Sequence, residues 1–200
     1  MTGEVLECDV LIVGGGPTGL SVAAALPDHI SFIIVHQDAE IGHPVRTSGG
    51  CWLADAERLG IPESYYQIID QLDIYSDNQE AHFRIEHDKM VVLNITDLYQ
   101  WLAQKSEHKS RQLLLATKFL STTLTDDGHH LSQVRSRLTP TSQIKSKYIV
   151  DGSGAHNSVL QSLGLGGKPA RTGVGIEYEY PIGSNKIDHA ILFVGSSVLS

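Results

Sequence analysis

The sequence predicts an α/β fold that opens on a strand–helix–strand unit of the nucleotide-binding type. Three observations predict it. Cys8-Asp9-Val10-Leu11-Ile12-Val13 is a short, nearly continuous apolar run, as expected of a parallel strand buried on both faces. Gly14-Gly15-Gly16-Pro17-Thr18-Gly19 follows at once, fits G-x-G-x-x-G, and leads into the helix-forming stretch LSVAAAL. Ser31 to Val35, SFIIV, is a second β-branched and aromatic run. The sum is a compact, Rossmann-like βαβ start.

Within that unit each glycine has a mechanical role. Gly14 permits the tight turn out of the strand. Gly16 lets the backbone approach a pyrophosphate with no Cβ in the way. Gly19 lets the helix pack closely on the sheet. Gly15, Pro17 and Thr18 complete the loop, and the helix N-terminus adds amide donors and partial positive charge. Pro27 closes the helix.

Further along, LADAERLG reads as a short helix ending at Gly60. Ile68–Tyr75, Ala81–Glu86 and Met90–Asn94 read as short antiparallel strands. Thr96 or Asp97 is expected to cap a helix through LYQWLAQKSE, with Leu98, Leu102 and Trp101 toward the core. RQLLLAT reads as a buried strand. FLSTTLTDDGHHLSQVRSRL reads as a hairpin turning at Asp127-Gly128. IKSKYIV is a strand entering Asp151-Gly152-Ser153-Gly154, and HNSVLQSLG is a short helix closed by Gly164. LGGKPARTG has a linker's composition, and GVGIEYEYPI and HAILFVGSSV are strand candidates.

Bulk properties narrow the function classes. The 200 residues suffice for one large domain or one and a fraction, with 41% hydrophobic and 19% charged residues. A net charge of −8, with basic residues scattered apart from a loose group between Arg135 and Lys147, argues against a nucleic-acid partner. Cys8 and Cys51 form no C-x-x-C, and the ten histidines show no H-x-x-x-H, so no metal is expected. The N-terminus has no apolar signal region, and no apolar run reaches a membrane span. The expected location is cytoplasmic, with a peripheral membrane contact left open.

The strand end after the glycine loop departs from the common pattern. An acid usually holds a ribose hydroxyl about 20 residues past the loop. Here His36 stands 17 residues past Gly19, with Gln37 and Asp38 beside it. His36 is able to donate to a ribose hydroxyl or a phosphate, or to be a solvated strand end. By itself the position is compatible with NADP and with a flavin dinucleotide.

Two later motifs carry a resemblance. Glu40-Ile41-Gly42-His43-Pro44-Val45-Arg46, followed by Thr47-Ser48-Gly49-Gly50, resembles the stretch after the second strand in the geranylgeranyl reductase family. That family lies within the p-hydroxybenzoate-hydroxylase-like FAD superfamily. YIVDGSGAHNSVLQSLG resembles the superfamily's D-[AG]-[ST]-G segment, matching at Asp151, Gly154 and Ser158 and lacking the usual basic residue near its end. A serine-hydrolase elbow fails on spacing, because position 151 is Asp where G-x-S-x-G needs Gly.

The resemblance implies a Rossmann-like FAD-binding domain over residues 1–170, with a β/α insertion at about 60–100, and the beginning of a substrate-binding domain at 171–200. It implies FAD as cofactor, with NAD(P)H or another donor as reductant, and a small-molecule substrate of the prenyl-lipid kind. It places Gly14, Gly15, Gly16, Pro17, Thr18, Gly19, His36, Gln37, Arg46, Gln100, Phe119, Asp151 and Gly154 at the cofactor. Arg46 would reach the phosphate or ribose region, Gln100 the pyrophosphate, and Phe119 the adenine through its backbone. No side chain is assigned as proton donor.

Such proteins run to about twice this length, and their third FAD motif falls past Ser200. A truncated reading frame, a gene fragment or one half of a split protein is therefore expected, the last with a complementing C-terminal chain. The alternatives are a flavin monooxygenase or halogenase of the same fold, and a non-catalytic dinucleotide-binding fragment. Glu177 and Glu179 share a strand face and border either a substrate cavity or solvent. Cys51 reads more readily as a small buried residue than as a redox group.

Overall fold

The computed structural model describes residues 5–106, 111–138, 142–166 and 189–195. Its chain divides into two compact units. The first holds residues 1–44 and 99–174, and the second residues 45–98 and 175–200.

Strand β1 (Val5–Val13), helix α1 (Pro17–Ala25) and strand β2 (Phe32–Val35) form the expected opening unit of the first body. β1 lies at the centre of a sheet, parallel to β2 (Ile12 beside Ile34) and to a late strand, Gln143–Asp151 (Ile12 beside Val150). Both runs are almost entirely apolar because the sheet is covered on both faces. Val10, Ile12, Phe32 and Ile34 point to one side, where Leu20 and Ala23 of α1 meet them. Leu11, Val13, Ile33 and Val35 point to the other, against Phe119, Val134 and Val159. The two-residue period of a strand thus fills two cores at once.

The second unit contains β3 (Gly50–Trp52), α2 (Leu53–Arg58), β4 (Tyr66–Ile69), β5 (Gln71–Tyr75), β6 (Glu80–Arg84) and β7 (Met90–Leu93). The expected single strand at 68–75 is therefore two strands. They join different sheets, β4 pairing with β7 and β5 with β6, and the break falls at Asp70, whose carboxylate takes the Lys89 ammonium at 2.6 Å.

Helix α3 (Ile95–Lys105) is capped by neither Thr96 nor Asp97. Asn94 precedes it and accepts from the Asp97 amide through Oδ1 at 3.3 Å. Leu98 is buried as expected. In the first unit it is Tyr99, Leu102 and Ala103 that pack on the sheet, while Trp101 carries the Lys105 ammonium over its ring at 3.7 Å.

RQLLLAT is a correction. Its strand, β8 (Arg111–Leu114), is the sheet's outer edge, with Leu113 38% exposed, rather than a buried strand. Arg111 anchors the edge by donating to the Leu26 carbonyl at 2.9 Å and covering the Phe32 ring.

β9 (Thr117–Leu124) and β10 (His130–Ser136) make the hairpin around Gly128, and β11 (Gln143–Asp151) is the strand parallel to β1. The sheet order is β8-β2-β1-β11-β10-β9. α4 (Ser158–Ser162) follows the Asp151 loop and pins the hairpin through Ser162 Oγ, which accepts from the Thr122 amide at 2.8 Å. In the second unit β12 (His189–Phe193) runs parallel to β5. GVGIEYEYPI, with Glu177 and Glu179, lies outside the described residues, as does most of LGGKPARTG.

Candidate functional site

In doubly covered parallel sheets, ligands bind outside the carboxyl ends of the strands. In the first unit those ends bring Gly14–Gly19, His36–Asp38 and Asp151–Gly154 together. The contact is tight. A Cβ on Gly14, at φ +112, would stand 2.2 Å from the Gly152 carbonyl oxygen. One on Gly19 would stand 2.0 Å from the Gly14 oxygen. The Gly152 amide in turn donates to the Val13 carbonyl at 2.8 Å. The first and third glycines of the loop are therefore required by packing, and the D-G-S-G turn is the surface they pack on.

Gly16 differs. Added to it, a Cβ would meet nothing within 4 Å. Its backbone is extended at φ −88, where alanine is allowed. Gly16 caps α1, Pro17 fills the first turn with no N–H of its own, and Thr18 follows. The turn carries no acidic residue and no side-chain cap. The end of the helix is thus electropositive and open, as a pyrophosphate requires.

Asp151 serves this loop from within. Burial is the largest influence on its carboxyl and opposes ionisation. Hydrogen bonds from the Ser153 hydroxyl and from the Leu160, Ser153 and Val159 amides outweigh it and hold the pKa below the ordinary value. One oxygen takes both Ser153 donors, and the other takes the amides of Val159 and Leu160 at 2.9 and 3.1 Å. The part Asp151 plays is to shape the turn and cap α4. Gly154, at φ +65, allows the reversal that follows.

His36 is not a solvated strand end. Its side chain is only 12% exposed, and Nδ1 accepts the Gly15 amide at 3.1 Å. An amide only donates, so a neutral ring carries its proton on Nε2, which faces Asp38 Oδ2 at 3.6 Å. The ring does what an acid at the strand end does for the loop amide. The first carboxylate after the strand end is Asp38, two residues on. Gln37 is exposed beside it.

Gln100 donates to Glu40 Oε1 at 3.1 Å, which ties α3 to the start of the E-I-G-H-P-V-R stretch. The Phe119 side chain is buried in the core, leaving only its backbone, opposite Val134 beside a β-bulge, for ligand contact. Arg46 is exposed and belongs to the second unit. There Gly49, at φ +72, passes so close to β7 that a Cβ would meet the Leu93 carbonyl oxygen at 2.8 Å.

A cavity of about 440 Å³ adjoins the strand end, lined by Gln37, Asp38, Ala39, Ala116, Lys118, Arg135 and Arg137. The three cations were not legible as a group. Lys118 and Arg135 lie in different strands, and only the hairpin register places them opposite each other.

The residues fit an FAD-type dinucleotide. There is an open second glycine, a helix end without a side-chain cap and a carboxylate, Asp38, all at the carboxyl ends of the sheet's strands. A model of the FAD binding domain matches residues 7–183. The chain belongs to the FAD-binding domain family. Among relatives of this FAD-binding domain is digeranylgeranylglycerophospholipid reductase 1 of Methanothermobacter thermautotrophicus. It is 26% identical over 172 residues, covering 80% of this chain and 42% of the relative. A geranylgeranyl bacteriochlorophyll reductase-like protein of Thermoplasma acidophilum, Ta0516, shares the fold with a TM-score of 0.74 at 17% identity, over 96% of this chain and 51% of that one. The flavin-dependent monooxygenase PieE, solved with FAD and substrate, has a TM-score of 0.60 at 22% identity, over 80% and 32% of the two chains. The FAD-binding domain thus spans about half the length of such relatives, or less. The resemblance to the geranylgeranyl reductases holds in both sequence and fold.

Proposed function

We propose that the chain is the FAD-binding part of an oxidoreductase that reduces isolated carbon–carbon double bonds of a prenyl lipid. One observation carries the FAD assignment: Gly14, Gly19 and Gly152 interlock while Gly16 stays open, so the loop is rigid where it meets protein and bare where it meets phosphate. Bound FAD supplies two-electron chemistry, and the protein contributes orientation and electrostatics. In this chain the α1 terminus and Gly16 hold the pyrophosphate, and Asp38, oriented through His36, holds the ribose.

Support for a prenyl substrate comes from the reductase relative and from the second unit. There Phe83 and Leu192 stand about half exposed on one face of the β12-β5-β6 sheet, at 51% and 48%. That surface suits an apolar chain. Anaerobic incubation of the chain, loaded with chemically reduced FAD, with a geranylgeranylated glycerophospholipid tests the reading. Addition of one hydrogen pair to the lipid per reduced FAD oxidised, read by mass spectrometry, is the expected result. Reduced FAD that is bound and is not reoxidised by the lipid, even when the lipid binds, overturns the prenyl reading and leaves the FAD-binding assignment standing. In a parallel aerobic incubation, oxygen consumption coupled to hydroxylation would favour the monooxygenase reading, which the shared fold with PieE supports.

A further inference from the structure

A cavity adjoins the strand end that carries His36, Gln37 and Asp38. In a chain of net charge −8, several described cations pair with carboxylates: Arg58 with Asp55, Lys89 with Asp70, Arg111 with Asp28, Lys145 with Asp127 and Lys147 with Asp9. Lys118, Arg135 and Arg137 do not, although all three line one cavity. Among the described residues none of their side chains has a carboxylate partner. Lys118 and Arg135 are also direct cross-strand neighbours, an arrangement that costs stability unless an anion lies between them.

The backbone fixes this cluster to the dinucleotide seat. The Thr117 amide donates to the His36 carbonyl and the Ala116 amide to the Asp38 carbonyl, both at 2.8 Å, and the Arg137 amide donates to the Ala116 carbonyl at 3.1 Å. Ala116 is held at φ +47, a left-handed conformation that a non-glycine residue keeps only where its surroundings impose it. Among the described residues Asp38 is the one carboxylate lining the cavity, and it faces His36 Nε2. Three cations therefore stand against one engaged acid, next to the hydroxyls of any ribose seated at Asp38. An arginine near this position is the general means of accepting a phosphate on an adenosine ribose.

We propose that the adenosine seat of this domain also accepts an adenine nucleotide whose ribose carries a phosphate monoester, held by Lys118, Arg135 and Arg137. FAD lacks that phosphate, so such a nucleotide competes with FAD for one adenosine seat. The inference rests on the dinucleotide reading of the glycine loop.

Titration calorimetry with 2′,5′-ADP, 3′,5′-ADP, 5′-AMP and inorganic phosphate, beside a separate FAD titration, tests it. A ribose-phosphorylated ADP should bind on the order of tenfold to a hundredfold more tightly than 5′-AMP, the range of a charge-assisted contact. The two isomers separate a nicotinamide-dinucleotide-phosphate type of ligand from a coenzyme A type. Lys118→Gln/Arg135→Gln/Arg137→Gln should abolish the preference and leave the melting curve within a few degrees of the parent, since all three residues are exposed. Equal affinity for 5′-AMP and both phosphorylated nucleotides overturns the inference while FAD binding leaves the domain assignment standing. A preference that survives in the triple variant also overturns it. A folded protein that binds neither FAD nor any adenine nucleotide overturns both.

Discussion

Replacing Gly14 and Gly16 separately by alanine should give opposite results, although both are glycines of one motif. At Gly14 the new methyl would stand 2.2 Å from the Gly152 oxygen and 2.6 Å from its carbon, both backbone atoms with no rotamer to change. The backbone would also hold a side chain at φ +112. The strained conformation alone costs about 1–3 kcal/mol. Moving Gly152 away stretches its hydrogen bond to Val13, for about 1 kcal/mol more. A loss of roughly 3 kcal/mol is a large share of the 5–15 kcal/mol that holds a typical domain together.

At Gly16 there is room for the methyl, and φ −88 is allowed. Alanine is a poorer helix cap, worth about 0.5–1 kcal/mol, but stiffens the unfolded chain by a similar amount, so stability should barely change. The methyl then stands where a phosphate must approach. Losing one charge-assisted amide contact of about 1.5–3 kcal/mol lowers FAD affinity roughly tenfold to a hundredfold. Urea unfolding without FAD and a flavin fluorescence titration measure the two quantities. The reasoning is refuted if Gly14→Ala unfolds at the parent's midpoint, or if Gly16→Ala binds FAD as the parent does.

Three further outcomes are expected. His36→Phe keeps the ring's bulk but leaves the buried Gly15 amide without its acceptor, for a loss of about 1–3 kcal/mol in urea unfolding; His36→Gln, which retains an acceptor, should lose less. Asp151 has a lowered pKa, so its contribution to stability is full above the ordinary carboxylate value near 4 and is lost as pH falls below it. Asp151→Asn should therefore be less stable at neutral pH and show a flatter acid limb; parallel acid limbs would contradict this. Burial pushes the Cys8 thiol up to about 12, so in the native protein at pH 8 it should resist a disulfide reagent until urea exposes it.

The legible parts of the fold were those written in contiguous residues. The β1–α1–β2 unit, the Asp127-Gly128 hairpin and the strand into Asp151 each announce themselves by local period and turn chemistry. The illegible parts depend on partners distant in the chain. RQLLLAT is apolar enough for a central strand, and only the sheet order makes it an edge. Ile68–Tyr75 looks continuous, yet its halves pair with different strands. At the site, glycine spacing marked the loop between β1 and α1. It could not reveal that Gly152 fills the space of the missing Gly14 side chain, because 138 positions separate them. His36 shows the same limit. Its identity suggested a lost acid, whereas its geometry shows an acceptor for Gly15 with Nε2 facing Asp38.

The measurement that bears most directly on the central claim is an equilibrium titration of the purified chain with FAD, read by flavin fluorescence and by the visible spectrum. The account predicts saturable one-to-one binding that Gly16→Ala weakens without changing the unfolding midpoint. A chain that is folded by circular dichroism and shows no saturable FAD binding would contradict it.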